Sequence, residues 1–137
     1  MVRAKDVMST KVTTVDEYAN VMEVIKLLVE HNVTGLPVVD DSGRLLGMVT
    51  EKDILMLLLY DPDVKSKTVT DLMTTEITHF DEDENLMTIF ENLVQSNFRR
   101  VPILSEGRLV GIVSRRDIIK FLSTKAKRVQ KNDEDDS

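Results

Sequence analysis

Two segments of the chain carry apolar residues at the spacing of one face of an α-helix. From Val21 to Val29, and again from Leu86 to Val94, apolar residues recur at intervals of three and four positions. Such a stripe is typical of an amphipathic helix that covers a core. The pattern therefore predicts one helix in each half of the chain. The apolar positions are Val21, Val24, Ile25, Leu28 and Val29 in the first half, and Leu86, Ile89, Phe90, Leu93 and Val94 in the second.

Short apolar runs bounded by turn residues predict the strands. Leu36–Val39 and Val101–Leu104 are continuous apolar runs, as expected for buried strands. Each run leads into a turn that ends at a glycine, Gly43 or Gly107, which indicates a hairpin. The further elements expected are strands at Lys11–Val15, Leu45–Val49, Glu76–Phe80 and Leu109–Val113, and helices at Glu51–Tyr60 and Arg115–Thr124.

The predicted elements follow the same order in both halves because the sequence itself is repeated. Asp6-Val7-Met8 returns as Asp71-Leu72-Met73, and Gly43-Arg44-Leu45-Leu46-Gly47 returns as Gly107-Arg108-Leu109-Val110-Gly111. A repeat in only two copies favours two half-units around a pseudo-two-fold axis over an open solenoid. The domain organisation expected is repeat 1 at 1–60, a linker at 61–70, repeat 2 at 71–124, and a charged, disordered tail at 125–137.

Composition narrows the functional classes. The 137 residues fit one domain, and a hydrophobic fraction of 42% supplies a core that is mainly aliphatic. The absence of cysteine excludes disulfides and thiolate metal sites, and His31 and His79 cannot form a zinc site by themselves. A net charge of -6 argues against broad nucleic-acid binding. Because neither a signal peptide nor an apolar run of bilayer length is visible, we expect a cytoplasmic protein.

The candidate functional element is a hydroxyl followed by a carboxylate three residues later, where a strand meets a helix. Thr50 and Asp53 form this pair in the first repeat, and Ser114 and Asp117 form it in the second. The pattern is that of a helix cap, which explains it without any ligand. The same geometry also suits a nucleotide, because a helix N-terminus attracts phosphate and a carboxylate accepts hydrogen bonds from ribose hydroxyls.

The second repeat is the more basic at these positions. Arg115-Arg116 stands where the first repeat has Glu51-Lys52, and Arg99-Arg100 stands where the first has Thr34-Gly35. Exposed arginines are usually only solvated. Two such arginine pairs in a chain of net negative charge nevertheless favour a site for an anionic ligand over arginines that are only solvated.

Taken together, these motifs resemble the tandem cystathionine-β-synthase (CBS) domain pair, also called a Bateman module. The resemblance covers about residues 4–122 and rests on both Asp-x-Met openings, both Pro-containing strands, both Gly-Arg-Leu hairpins and both Thr/Ser-x-x-Asp motifs. It implies an α+β (mixed α/β) fold of two pseudo-symmetric βαββα repeats packed sheet to sheet. It also implies clefts between the repeats that bind AMP, ADP, ATP or S-adenosylmethionine. No cofactor is expected to be required.

In this family each cleft is composite, with ribose and phosphate held by one repeat and the base held by the other. The resemblance assigns to one cleft Ser114, Arg115, Arg116 and Asp117, with Val12, Thr13, Val33, Thr34 and Leu36 around the base. It assigns to the other Thr50, Lys52 and Asp53, with Ile77, Thr78, Phe98, Arg99 and Val101. Phe98 and Arg99 are bulkier than Val33 and Thr34. We therefore expect the Asp117 cleft to be the principal nucleotide site.

Three functions stay open at this point. The first is a regulatory module that senses an adenine nucleotide, without catalysis, within a homodimer formed by the apolar helices Ile54–Leu59 and Ile118–Leu122. The second is a structural module whose clefts are empty and which binds a partner protein. The third and least favoured is a nucleic-acid binder that uses Arg99, Arg100, Arg115, Arg116 and the basic segment Lys125–Lys131. An enzyme is disfavoured because no nucleophile and base are paired, and no membrane association is expected.

Overall fold

Each half of the chain forms helices around a three-stranded sheet in a computed structural model. The structure describes the backbone of residues 1–135 and the side chains through Lys125. In the first half the elements are α1 (Ala4–Val7), β1 (Val15–Asp16), α2 (Val21–His31), β2 (Gly35–Val39), β3 (Leu45–Thr50) and α3 (Glu51–Tyr60). In the second half they are β4 (Phe80–Asp81), α4 (Leu86–Gln95), β5 (Arg100–Ser105), β6 (Arg108–Ser114) and α5 (Arg115–Asp135).

Both sheets have the same topology. One sheet has the order β1-β2-β3 and the other the order β4-β5-β6. In the first, β1 is parallel to β2, and β2 is antiparallel to β3 with Gly35 opposite Thr50. In the second, β4 is likewise parallel to β5. The predicted mixed α/β architecture, with a βαββα order in each repeat, is therefore confirmed.

The first strand of each repeat is shorter than predicted. The strand expected at Lys11–Val15 is limited to β1, and the strand expected at Glu76–Phe80 is limited to β4. Only two residues of each segment pair with the neighbouring strand before the chain turns towards a helix. A β-rich composition indicates an extended chain but does not show where a partner strand begins.

Asparagines begin the two amphipathic helices. The side-chain oxygen of Asn20 accepts from the backbone of α2 at 2.9 Å, and that of Asn85 accepts from α4 at 2.9 Å. These caps satisfy N–H groups that have no partner inside a helix. Asp16 and Asp81 stabilise the turns that precede these helices by accepting backbone N–H groups at 2.8 and 2.9 Å.

The residues group into two packing units that differ from the sequence repeats at their ends. One unit contains residues 12–78 and 105–109, and the other contains residues 1–11, 79–104 and those from Val110 onward. The segment that opens each repeat in the sequence thus packs with the other repeat. Ala4 of α1 is fully buried in the core that contains Ile89 and Ile103, and Val69 is fully buried in the core that contains Val24 and Val38.

A methionine packed on a glycine holds each exchanged segment. A Cβ atom placed on Gly111 would lie 2.5 Å from Sδ of Met8, and one placed on Gly47 would lie 2.7 Å from Sδ of Met73. Both glycines are therefore required by close approach. Backbone bonds extend the contact, since Ser9 pairs with Ile112 at 2.8 and 3.0 Å. The equivalent pair, Thr74 with Met48, bonds at 2.8 and 2.9 Å.

The N-terminal segment is also held by charge. Asp83 accepts from Lys5 at 2.9 Å and from Arg3 at 3.2 Å, and these contacts hold the pKa of the Asp83 carboxyl below its usual value. Because all three side chains are about half exposed, these pairs add little to the free energy of unfolding. The segment also bonds through its backbone, with Ala4 N–H donating to Glu84 O at 2.9 Å.

The last helix extends further than predicted. It was expected to end near Thr124, whereas α5 continues to Asp135. The residues from Lys125 to Lys131 are mostly strong helix formers, and neither glycine nor proline interrupts them. The tail predicted at 125–137 thus has a helical backbone as far as Asp135, and Asp136 and Ser137 lie outside the described residues.

The close contacts of Gly47 and Gly111 predict that a single added methyl group destabilises the protein. Gly47→Ala and Gly111→Ala should each lower the free energy of unfolding by about 1–3 kcal/mol, because the new Cβ displaces a methionine and meets a backbone oxygen. Urea denaturation measures this difference. Val29→Ala, at a position that is 76% exposed, is the control and should change stability by less than about 0.5 kcal/mol. A glycine variant as stable as this control would contradict the packing described.

Candidate functional site

The first hydroxyl–aspartate pair lies where β3 ends and α3 begins. Oδ2 of Asp53 accepts from the backbone N–H of Thr50 at 2.8 Å and from its hydroxyl at 2.9 Å. The Thr50 hydroxyl in turn accepts from the N–H of Asp53 at 3.3 Å. This is a reciprocal capping box, which fixes both side chains at the first turn of the helix.

The second pair repeats this geometry between β6 and α5. Oδ2 of Asp117 accepts from the N–H of Ser114 at 2.8 Å and from its hydroxyl at 2.8 Å. The Ser114 hydroxyl accepts from the N–H of Asp117 at 3.0 Å. Both pairs are half-buried. The interpretation as helix caps, drawn from the spacing alone, therefore describes what both pairs do in the folded chain.

Capping leaves part of each aspartate available. All hydrogen bonds of Asp53 and Asp117 go to Oδ2, and Oδ1 has no partner among the described residues. A carboxylate oxygen held at a helix N-terminus can accept hydrogen bonds from vicinal hydroxyls of a ligand. The cap thus positions a free acceptor at the same time as it stabilises the helix.

An equivalent backbone bond in each repeat joins the helix start to the loop before the middle strand of its sheet. The N–H of Glu51 donates to Thr34 O at 2.9 Å, and the N–H of Arg115 donates to Arg99 O at 2.9 Å. Within its own unit, each loop therefore lies beside the capping pair of the same repeat.

The two adjacent arginines of α5 have different surroundings. Nη2 of Arg115 donates to Leu93 O at 2.9 Å and to Ser96 O at 3.1 Å, at the C-terminal end of α4. This guanidinium satisfies helix carbonyls that lack an internal partner. Arg116 is exposed and forms no ion pair within the described part of the chain. Of the two, Arg116 is the one free to contact an anion.

The residues assigned to base contacts contribute in different ways. Leu36 and Val101 are each 1% exposed, so their side chains belong to the cores and only their backbones could reach a ligand. Phe98 is 52% exposed. The first unit contains Val12, Thr13, Val33, Thr34, Leu36, Thr50, Lys52, Asp53, Ile77 and Thr78, and the second contains Phe98, Arg99, Val101, Ser114, Arg115, Arg116 and Asp117.

A groove between α1 and α5 was not predicted from the sequence. It has a volume of about 610 Å³ and includes Asp117 in its lining. The spacing of its α5 residues could have indicated a shared helix face. The contribution of α1 depends on the exchange of segments, which the repeat pattern does not reveal. The lining residues are Val2, Asp6, Val7, Asp117, Lys120, Phe121, Thr124 and Lys125.

The described residues contain neither a membrane-spanning helix nor a candidate metal cluster. No helix among them is long and apolar enough to cross a membrane. Nor does this part of the chain bring together three or more His, Cys, Asp or Glu side chains in a group that could hold a metal ion.

Comparison with known proteins identifies the family. The model of the CBS domain matches residues 4–60 and again residues 69–124. The chain therefore belongs to the CBS domain family and contains a tandem pair, that is, a Bateman module. This confirms the family resemblance that the repeated motifs indicated.

Among curated proteins, the chain is similar to relatives of different length. It is 34% identical over 120 residues to the uncharacterized protein MJ1225 of Methanocaldococcus jannaschii, covering 88% of this chain but 42% of that protein. It is 33% identical over 123 residues to Hypoxic response protein 1 of Mycobacterium tuberculosis, covering 89% of this chain and 86% of that protein. The chain thus spans less than half of the first relative and most of the second.

Solved structures of similar CBS proteins contain several ligands. CBSX2 in complex with AMP has a TM-score of 0.82 at 31% identity, covering 92% of this chain and 99% of that chain. The CBS pair of MJ0100, with 5′-methylthioadenosine and S-adenosyl-L-methionine, has a TM-score of 0.71 at 30% identity, covering 91% and 98%. Hypoxic Response Protein I, with two coordinated zinc ions, has a TM-score of 0.79 at 33% identity, covering 88% and 99%.

The different surroundings of Arg115 and Arg116 predict different effects on stability. Arg115→Ala should lower the free energy of unfolding by about 1–3 kcal/mol, because two helix carbonyls lose a charged donor. Arg116→Ala is the matched control and should stay within about 0.5 kcal/mol of the parent. Chemical denaturation of both variants measures the difference, and equal stabilities would show that Arg115 does not stabilise the end of α4.

Proposed function

We propose that this CBS pair is a regulatory module that binds an adenosine-containing ligand and catalyses no reaction. The ligand class is AMP, ADP, ATP or S-adenosylmethionine. Ligand occupancy would change the relative stability of two arrangements of the protein, because a ligand shifts an equilibrium only by binding one state better than the other. A cytoplasmic location is part of this proposal.

The capping pairs carry the proposal. Each holds an aspartate at a helix N-terminus with one carboxylate oxygen free among the described residues, and such an oxygen can accept hydrogen bonds from a ribose diol. The complexes of CBSX2 with AMP and of MJ0100 with S-adenosyl-L-methionine support this ligand class by similarity.

The second capping pair is proposed as the principal site. Ser114 and Asp117 would hold the ribose, and Arg116 with the N-terminus of α5 would favour a phosphate. The base would contact backbone around Val12, Thr13, Val33, Thr34 and Leu36, as the family pattern implies. The Thr50–Asp53 site, with Lys52, Ile77, Thr78, Phe98, Arg99 and Val101, is proposed as secondary.

A homodimer is proposed alongside the sensor. In α3, Leu55, Leu58 and Leu59 are 64%, 52% and 76% exposed. In α5, Ile119 is 58% exposed and Leu122 is 47% exposed. Exposed apolar residues in this number on two helices favour a protein interface. The same observation supports the second candidate function, a module that binds a partner protein while its ligand sites stay empty.

The ranking of the two sites predicts unequal effects of equivalent substitutions. Asp117→Ala should weaken the binding of AMP or S-adenosylmethionine by about tenfold or more, because a ribose would lose a charged acceptor. Asp53→Ala removes the same cap from α3 and is the matched control, with an effect at least severalfold smaller. Isothermal titration calorimetry measures both dissociation constants. Equal losses would contradict the ranking, and a parent protein that binds neither ligand at millimolar concentration would contradict the sensor function.

The proposed homodimer predicts that charges introduced in its interface halve the mass of the sedimenting species. The double variant Leu55→Glu/Leu59→Glu should sediment as a monomer, because two charges would then lie in the proposed interface. Val29→Glu, which introduces charge at an exposed position of α2, should leave the dimer intact. Analytical ultracentrifugation distinguishes the species. A parent protein that is monomeric at every concentration would refute the dimer.

A further inference from the structure

The tips of the two hairpins, where β2 turns into β3 and β5 turns into β6, pair with each other. The pairing is an antiparallel bridge that places Arg44 directly opposite Arg108. Residues 105–109 belong to the same packing unit as residues 12–78. The paired tips are therefore a feature of that unit alone.

The backbone bonds around the bridge determine how close the two arginines come. The N–H of Leu109 donates to Gly43 O at 3.0 Å, and the N–H of Leu45 donates to the oxygen of the other turn glycine at 3.4 Å. These bonds flank the bridge and do not join the two arginines to each other. Opposite residues of this non-hydrogen-bonded kind have Cα atoms about 4.5 Å apart, and their side chains leave the ladder on the same face. Both guanidinium groups are thus carried on one face of the paired tips.

Nothing in the described chain compensates this pair of like charges. Both arginines are exposed, and neither forms an ion pair or a side-chain hydrogen bond with the described residues. The acids of the same turns are not paired with them. Asp40 accepts the backbone N–H groups of Ser42 and Arg44 at 2.9 and 3.0 Å, and Asp41 and Glu106 form no ion pair. Like charges directly opposite in a ladder are destabilising, so the unliganded tips carry an electrostatic cost.

A phosphate group matches this arrangement better than a carboxylate does. Each guanidinium presents its N–H donors in a planar fork that can bind two oxygens. A carboxylate has two oxygens and one charge, which suits one arginine. A phosphate group has more oxygens and close to two charges, so it can bind both forks and remove their repulsion. Nη1 of Arg44 would lie 3.4 Å from a Cβ atom placed on Gly107, so this guanidinium already reaches the turn that precedes Arg108.

We propose that Arg44 and Arg108 form a binding site for a phosphate group, supplied as the free ion or as a phosphate monoester. Each guanidinium donates hydrogen bonds to the phosphate oxygens. The site is separate from the capping pair of the same unit, because Thr50 lies at the far end of β3, six residues beyond Arg44 and about 20 Å along an extended strand. It is also independent of the proposed binding of adenosine.

A titration with inorganic phosphate tests the site. The amide signals of Gly43 and Gly107 in the ¹⁵N-labelled protein should move with a dissociation constant of about 1 mM, as expected for two exposed charge-assisted pairs. Arg44→Gln and Arg108→Gln should each raise this constant about tenfold, because each removes one fork. Acetate at the same ionic strength should bind the parent at least about tenfold more weakly.

The repulsion predicts a further effect, which a purely structural role of the arginines would not produce. In chloride buffer, Arg44→Gln should melt about 1 °C above the parent, because a like-charge pair is removed. In 10 mM phosphate at the same ionic strength, the parent should gain about 3 °C or more and Arg44→Gln should gain less than half of that. The order of the two melting temperatures therefore reverses. A variant that melts below the parent by the same margin in both buffers would contradict the proposal.

Two further variants serve as controls. Lys65→Gln removes one positive charge from an exposed lysine of the same unit that forms no ion pair with the described residues. It should leave the dissociation constant of phosphate within about twofold of the parent value. Arg116→Gln removes a charge from the proposed adenosine site and should leave the shifts of Gly43 and Gly107 unchanged.

The outcomes separate this site from the proposed function. Equal losses in Lys65→Gln and Arg44→Gln would show an effect of net charge alone and would overturn the site. A loss in Arg116→Gln without one in either hairpin variant would place the phosphate at α5 and would also overturn it. A parent whose amide signals ignore phosphate would overturn the site and leave adenosine binding untouched. Glycerol 3-phosphate identifies the source: affinity equal to that of phosphate supports a monoester, and weaker affinity supports the free ion.

Discussion

The close packing of a methionine on a glycine is the constraint on which each unit of this protein depends. Met8 lies on Gly111 of β6, and Met73 lies on Gly47 of β3, so closely that neither glycine has room for a Cβ atom. Each contact ties an exchanged segment to the strand that ends at a capping hydroxyl. Through the backbone bonds beside it, the contact fixes the strand end from which the helix and its aspartate begin.

The helix cap and the ligand site are one arrangement rather than alternatives. The hydrogen bonds from Ser114 to Oδ2 of Asp117 satisfy the first turn of α5 and immobilise the carboxylate. Because the carboxylate is already held in place, less side-chain conformational entropy is lost when a ligand binds to it. A site built on a cap is therefore prepared in advance, and the structural role does not compete with the functional one.

The repeat made most of the fold predictable, because it presents every periodic pattern twice. The α2 and α4 helices follow directly from their apolar stripes, and the capping pairs follow from spacing alone. The exchange of segments was not predictable, since Met8 and Met73 stand at equivalent positions and either could pack in either unit. The role of Arg115 was missed for a related reason. Its partners, the carbonyls of Leu93 and Ser96, are distant in sequence and carry no residue signature.

The most direct test of the central claim is an NMR titration of the ¹⁵N-labelled protein with AMP and with S-adenosylmethionine. The largest amide shifts are expected at Ser114, Arg116 and Asp117, because these residues form the proposed principal site. Smaller shifts are expected at Thr50 and Asp53. Amide signals that do not move at millimolar ligand, or that move only at residues remote from both capping pairs, would contradict this claim.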